Sequence, residues 1–104
     1  MFAFLTHLRA KPGKRDALIA QNRVMQDATA AEPGVPVYIF HTAEDSPDDF
    51  YFYDLYSSDE AYQAHCASEA FQAMMGCIGE LADIVDVIRL QPFGPIKSEP
   101  VTQA

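Results

Sequence analysis

At 104 residues, 49% of them hydrophobic, the chain is long enough for one domain with a modest core and holds no low-complexity segment that would make a disordered arm. A formal net charge of −8 with only seven lysines and arginines repels phosphate backbones and anionic headgroups, which argues against nucleic acid as a partner and against a membrane surface. The apolar run Met1 to Leu5 is too short for a signal core or a membrane span, and Cys66 and Cys77 show neither redox nor zinc spacing, so a cytoplasmic protein with two reduced, packed thiols is expected.

Met1 to Arg9 reads as a first strand, with Phe2, Phe4, Thr6 and Leu8 on one face and Ala3, Leu5, His7 and Arg9 on the other. Lys11-Pro12-Gly13-Lys14 breaks it. Arg15 to Glu32 contains no Gly or Pro, and Leu18, Gln21, Val24, Met25 and Ala28 recur at helical spacing, which predicts a helix closed by Pro33-Gly34. Val35 to Ala43 and Phe50 to Tyr56 are expected to pair as an antiparallel hairpin around the polar turn Glu44 to Asp49. Ser57 followed by Glu60 fits a capping box that starts a helix near Ser58. Ser68-Glu69 offers a second cap, and Gly76 and Gly79 weaken the later turns by roughly 1 kcal/mol each relative to alanine, so two helices meeting near Ala67 are expected up to about Leu81. Asp83 to Leu90 alternates Ile84, Asp86, Ile88 and Leu90 against Val85, Val87 and Arg89 as a last strand. Pro92, Pro95 and Pro100 mark an irregular tail, 93–104, placed across a neighbouring subunit.

Strand, helix, strand, strand, helix pair, strand is an α+β order satisfied by a ferredoxin-like four-stranded antiparallel sheet with helices on one face. Phe50 to Tyr56 is apolar or aromatic on both alternating faces, so such a sheet needs cover on both sides. A chain of this size has helices for one. The other face predicts a second subunit, and the aromatic lining predicts a pocket for a flat organic molecule.

Lys11-Pro12-Gly13-Lys14, Glu32-Pro33-Gly34, the aromatic strand ending in Asp54 and Tyr56, and then Ser58, Ala61, His65, Ser68 and Phe71 resemble the antibiotic biosynthesis monooxygenase domain of the dimeric α+β barrel superfamily over residues 2–92. The resemblance implies a homodimer in which two sheets pair face to face, with one pocket per subunit between sheet and helices. It implies several chemistries: oxidation of quinols or polycyclic phenols by O2 without metal, flavin or haem; haem degradation; isomerisation of a small sugar derivative. Fold follows from it more firmly than reaction. Where this chain has Asp54 and Tyr56 the family commonly has Glu and Trp, and Met75 stands where the haem-degrading branch has its iron-ligating histidine, which disfavours haem breakdown.

Against that background His65 is the candidate general base, on the inner face of the helix beside small Ala61 and Ser68; its alternative role is a helix histidine bonded to a backbone carbonyl. His7, aligned with a polar pocket residue of the haem-degrading branch, could orient a substrate carbonyl or sit solvated at a strand end. His41 is near, but no two histidines have i, i+4 ligand spacing, so no metal is expected. Arg89 either pairs with Asp54 or Asp86 or holds a substrate oxyanion; Asp54 is the acid expected to be desolvated. Tyr56 is placed at the pocket mouth, and Phe71, Met74 and Met75 form an adaptable apolar wall. The expected activity is cofactor-independent oxidation of a quinol, hydroxynaphthoquinone or polyketide-like phenol by O2. A proton-shuttling isomerase and a binding protein for a hydrophobic metabolite remain the alternatives.

Overall fold

A computed structural model describes residues 1–94; the expected tail lies, from residue 95 on, outside the described residues. The elements are β1 (Phe2–Ala10), α1 (Arg15–Thr29), β2 (Val37–Ala43), β3 (Ser46–Tyr56), α2 (Asp59–Ala67), α3 (Glu69–Leu81) and β4 (Ala82–Leu90). The strands form one sheet in the order β2-β3-β1-β4, all neighbours antiparallel. This is the ferredoxin-like arrangement that the element order predicts. No helix among the described residues is long and apolar enough to cross a membrane.

Register assigns the faces. Cross-strand rows Tyr38–Asp54–Phe4–Arg89 and Phe40–Phe52–Thr6–Val87 lie on the face that carries the pocket, while Ile39–Tyr53–Leu5–Ile88 and Val37–Leu55–Ala3–Leu90 lie on the other. Strict alternation would group Ile84 with Asp86. Instead the β1–β4 ladder slips after His7, so that Leu8 faces Ile84 and one extra residue, Val85, is accommodated in β4. The bulge transfers Ile84 to the pocket face beside Val87.

Beneath the helices, Leu8, Leu18, Phe50, Phe52 and Ala82 form one buried cluster, and Phe2, Val35 and Tyr56 a second; Tyr38 packs against both. Burying a Leu18 or a Phe50 fully contributes about 1.5–3 kcal/mol each. The buried stripe of α1 is Leu18, Asn22, Met25 and Thr29, whereas the expected stripe included Val24, which is exposed. A buried asparagine hides the pattern: the Tyr38 hydroxyl donates to Asn22 Oδ1 at 2.9 Å, so a polar residue occupies an apolar position.

Three boundaries also move. Ser58 rather than Ser57 caps α2, accepting from the Ala61 amide at 3.1 Å, and Ser68 caps α3, accepting from the Phe71 amide at 3.2 Å. β3 begins at Ser46, inside the stretch expected to be a turn, because Ser46 already pairs with Ala43 of β2. Pro47 is tolerated there because β1 pairs with β3 only as far as Asp49, so the missing proline N–H leaves no central ladder bond unmade. The first helix ends at Thr29, and the Glu32 amide turns back onto the Thr29 carbonyl at 2.9 Å. That turn brings Gly34 so close to α2 that a Cβ there would stand 2.5 Å from the Ala61 Cβ. Only glycine allows this approach, and the Ser57 amide locks it by donating to the Gly34 carbonyl at 2.9 Å.

Candidate functional site

A cavity of about 210 Å³ opens between the sheet and helices α2 and α3. Its floor is the aromatic row structure of β1, β2 and β3, and its helical wall holds Tyr62, His65, Phe71, Met74 and Met75. Met75, Ile84 and Val87 are large apolar residues left exposed, and they surround its mouth. Asp54, Tyr56, His65, Phe71, Met74 and Met75 therefore meet in one place, as the sequence leads one to expect.

His65 is only 2% exposed. Its Nδ1 lies 2.9 Å from Glu32 Oε1; an ionised carboxylate only accepts, so Nδ1 donates and the Nε2 lone pair is the one left for a bound molecule. This is a base held in one tautomer by a carboxylate. The backbone-carbonyl partner that was the bland alternative is not what holds the ring. Tyr38, Tyr56 and Phe71 surround the imidazole with ring centroids 6.2, 5.4 and 5.5 Å away.

Beside the imidazole, the Tyr56 hydroxyl donates to Asp54 Oδ2. Burial pushes the Asp54 carboxyl above the usual carboxylate range, although the Tyr56 hydrogen bond and nearby His65 oppose the shift. Burial, reinforced by the Asp54 charge, likewise raises both the Tyr56 and Tyr38 phenols well above their ordinary value, so both remain hydrogen-bond donors at neutral pH. The site thus presents an imidazole base beside a buried carboxyl–phenol pair, within apolar walls.

Two expected members are elsewhere. His7 points to the opposite face of the sheet: it stacks on Tyr51 at 4.4 Å, and its Nε2 lies 2.8 Å from Asp49 Oδ1. It and His65 do not share a pocket within the subunit, because odd and even positions of β1 face opposite ways. Arg89 is on the pocket face, in line with Phe4 and Asp54, but Phe4 stands between. Its guanidinium covers the Phe2 ring at 3.9 Å and reaches Asp59 at 3.7 Å, so neither Asp54 nor Asp86 is its partner. No three of the described His, Cys, Asp and Glu side chains converge on a point that could hold a metal ion.

Asp49 organises the corner around His7, accepting from Ser46, His7 and Arg9. Those bonds pull its carboxyl from 3.8 to about 2, the Ser46 hydroxyl contributing most. A depressed folded-state pKa stabilises the fold above the unfolded value and is lost as pH falls through the folded one. Asp49→Asn is therefore expected to lower the urea midpoint at pH 6, and the gap to the parent protein should close between about pH 4 and pH 2. A gap constant over that range would mean that the carboxylate charge contributes nothing.

Several site residues carry no obvious sequence signal. Glu32 sits in a turn far from His65 in the chain, and only the close approach at Gly34 brings it across. Tyr38 and Tyr62 were the more readable: Tyr38 faces Asp54 in the hairpin register, and Tyr62 is three residues before His65 on the same helix face.

The chain matches the family model for antibiotic biosynthesis monooxygenase over residues 1–76. It belongs to that family. Among solved structures, Rv0793 from Mycobacterium tuberculosis is 24% identical with a TM-score of 0.83, over 92% of this chain and 98% of that one. A structure described as an antibiotic biosynthesis monooxygenase is 22% identical with a TM-score of 0.81, covering 90% of this chain and 100% of the other. PA3566 from Pseudomonas aeruginosa is 22% identical with a TM-score of 0.77, over 91% and 94%. Likeness at these identities speaks for the fold alone. Among curated proteins, none is significantly similar in sequence. Family membership brings monooxygenase chemistry to the fore without naming a substrate.

Proposed function

We propose that this family member oxidises a quinol, hydroxynaphthoquinone or polyketide-like phenol with O2, without metal, flavin or haem, as a cytoplasmic homodimer. The observation that supports this most is His65: a buried imidazole, fixed at Nδ1 by Glu32, on the wall of an aromatic cavity. Nε2 takes the phenol proton, and Glu32 stabilises the imidazolium that results. The phenolate passes electrons to O2, and a C–O bond forms at a ring carbon that carries hydrogen. His65 returns its proton to the peroxide anion, then accepts the ring C–H proton as the O–O bond breaks, and hydroxide leaves as water. The ring loses two hydrogens and gains one oxygen; the second oxygen atom and those hydrogens become water. Tyr56 and Asp54, next to His65, border the ring in the same cavity.

Labelled dioxygen tests the oxygen balance. One labelled atom is expected in the organic product, read before carbonyl exchange, and the other in water. Both atoms appearing as hydrogen peroxide would make the protein an oxidase and contradict the reading. The same juxtaposition of a base and a buried carboxyl also suits a proton-shuttling isomerase of a small carbonyl compound, which would place solvent deuterium in the product and consume no oxygen.

The homodimer is supported by the two apolar rows Ile39–Tyr53–Leu5–Ile88 and Val37–Leu55–Ala3–Leu90, which span all four strands on the face the helices leave uncovered. Ile39 and Ile88 are 46% and 43% exposed in the lone subunit. A second copy placed on this face would bury the exposed first row; in the second row Ala3 and Leu55 are already buried within the subunit.

A further inference from the structure

The polar inventory of the cavity bears on the charge of its occupant. Six polar side chains line it, Thr6, Tyr38, Asp54, Tyr56, Tyr62 and His65, and among the described residues no lysine or arginine joins them. The one guanidinium close by is turned away: Arg89 lies beyond the Phe4 ring, stacked on Phe2 and tied to Asp59. Outside the lining, Glu32 adds a further negative group against His65. An anionic substituent entering here would lose its water, meet no positive partner and face Asp54. The chain's net charge of −8 opposes its approach as well.

We propose that the site selects by charge as well as shape: it takes an uncharged one- or two-ring phenol, and refuses aromatic carboxylates and phosphate esters. This rests on the cavity being the substrate site. The size limit follows from the volume, about 210 Å³, against about 300–1,000 Å³ for pockets that hold drug-sized ligands. Burial of Asp54 accords with the charge selection, since its carboxyl is itself held in a place that disfavours negative charge.

Three two-ring probes separate charge from size: 2-naphthol, 6-hydroxy-2-naphthamide and 6-hydroxy-2-naphthoate. The amide matches the carboxylate in bulk and lacks its charge. Titration calorimetry of the full chain under nitrogen at pH 8 is expected to give naphthol and amide dissociation constants within about threefold of each other, and a carboxylate constant at least ~10-fold weaker. Asp54→Asn should narrow the amide–carboxylate gap; the parent protein's gap stands as a test by itself should that variant not fold. Carboxylate binding as tight as the amide would overturn the charge selection, and oxygen uptake from a quinol would then show that the reaction class survives without it. Failure of all three to bind would overturn the aromatic site and the inference together.

Discussion

Replacing His65 by asparagine is expected to slow substrate-dependent oxygen uptake by about 10²–10⁴-fold, the range that a positioned general base contributes. Asparagine is the informative choice because its amide nitrogen reaches about where Nδ1 stands, so the bond to Glu32 is kept while Nε2 is removed. The ring is nearly inaccessible and sits among Tyr38, Tyr56 and Phe71, so the substitution also leaves a small void and costs stability on the order of 1–3 kcal/mol. Circular dichroism and a urea midpoint taken alongside the kinetics distinguish a folded, inactive variant from an unfolded one. A folded variant with unchanged uptake would remove His65 from the chemistry.

Leu5→Asp should dissociate the proposed homodimer. Leu5 lies between Tyr53 and Ile88 in the middle of the uncovered face, and symmetry would bring two copies of the new carboxylate into the interface. Desolvating each without a partner costs several kcal/mol. A weakening of the dimer constant by about 10³-fold or more is expected, since each ~1.4 kcal/mol is tenfold. Light scattering at micromolar concentration should give dimer mass for the parent protein and monomer mass for the variant. A parent protein that is itself monomeric would contradict the pairing, and so would a variant that remains dimeric.

The strands were readable because alternation and aromatic content agree in them. Phe2, Phe4, Thr6 and Leu8 share a face as their spacing says, and β3 pairs with a strand on either side of it in the sheet. What misled was local exceptions to a period. The β4 bulge at Val85 moves Ile84 to the pocket face, and no residue in Asp83 to Leu90 announces it. Asn22 breaks the apolar stripe of α1 while being fully buried, with Tyr38, distant in sequence, donating to its Oδ1.

The site divides in the same way. Asp54, Tyr56, His65, Phe71, Met74 and Met75 come from two contiguous stretches whose faces are set by one strand and one helix pair, so their meeting was legible. Glu32 was not, since its position depends on where α1 stops and on a glycine contact between distant segments. His7 was misplaced because proximity in the sheet does not imply a shared face, and Arg89 because an aromatic stack and a helix-start acid outcompete the buried carboxyl for a side chain that stays half-exposed.

The most direct measurement is oxygen uptake by the purified, metal-stripped protein with a panel of quinols and hydroxynaphthoquinones, with His65→Asn as the control for spontaneous autoxidation. A monooxygenase working through His65 should consume oxygen well above the uncatalysed rate with at least one of these compounds and fall to near that rate in the variant. Uptake no faster than the blank across the panel, from a protein that nonetheless binds the compounds, would contradict the oxidation chemistry and leave the isomerase.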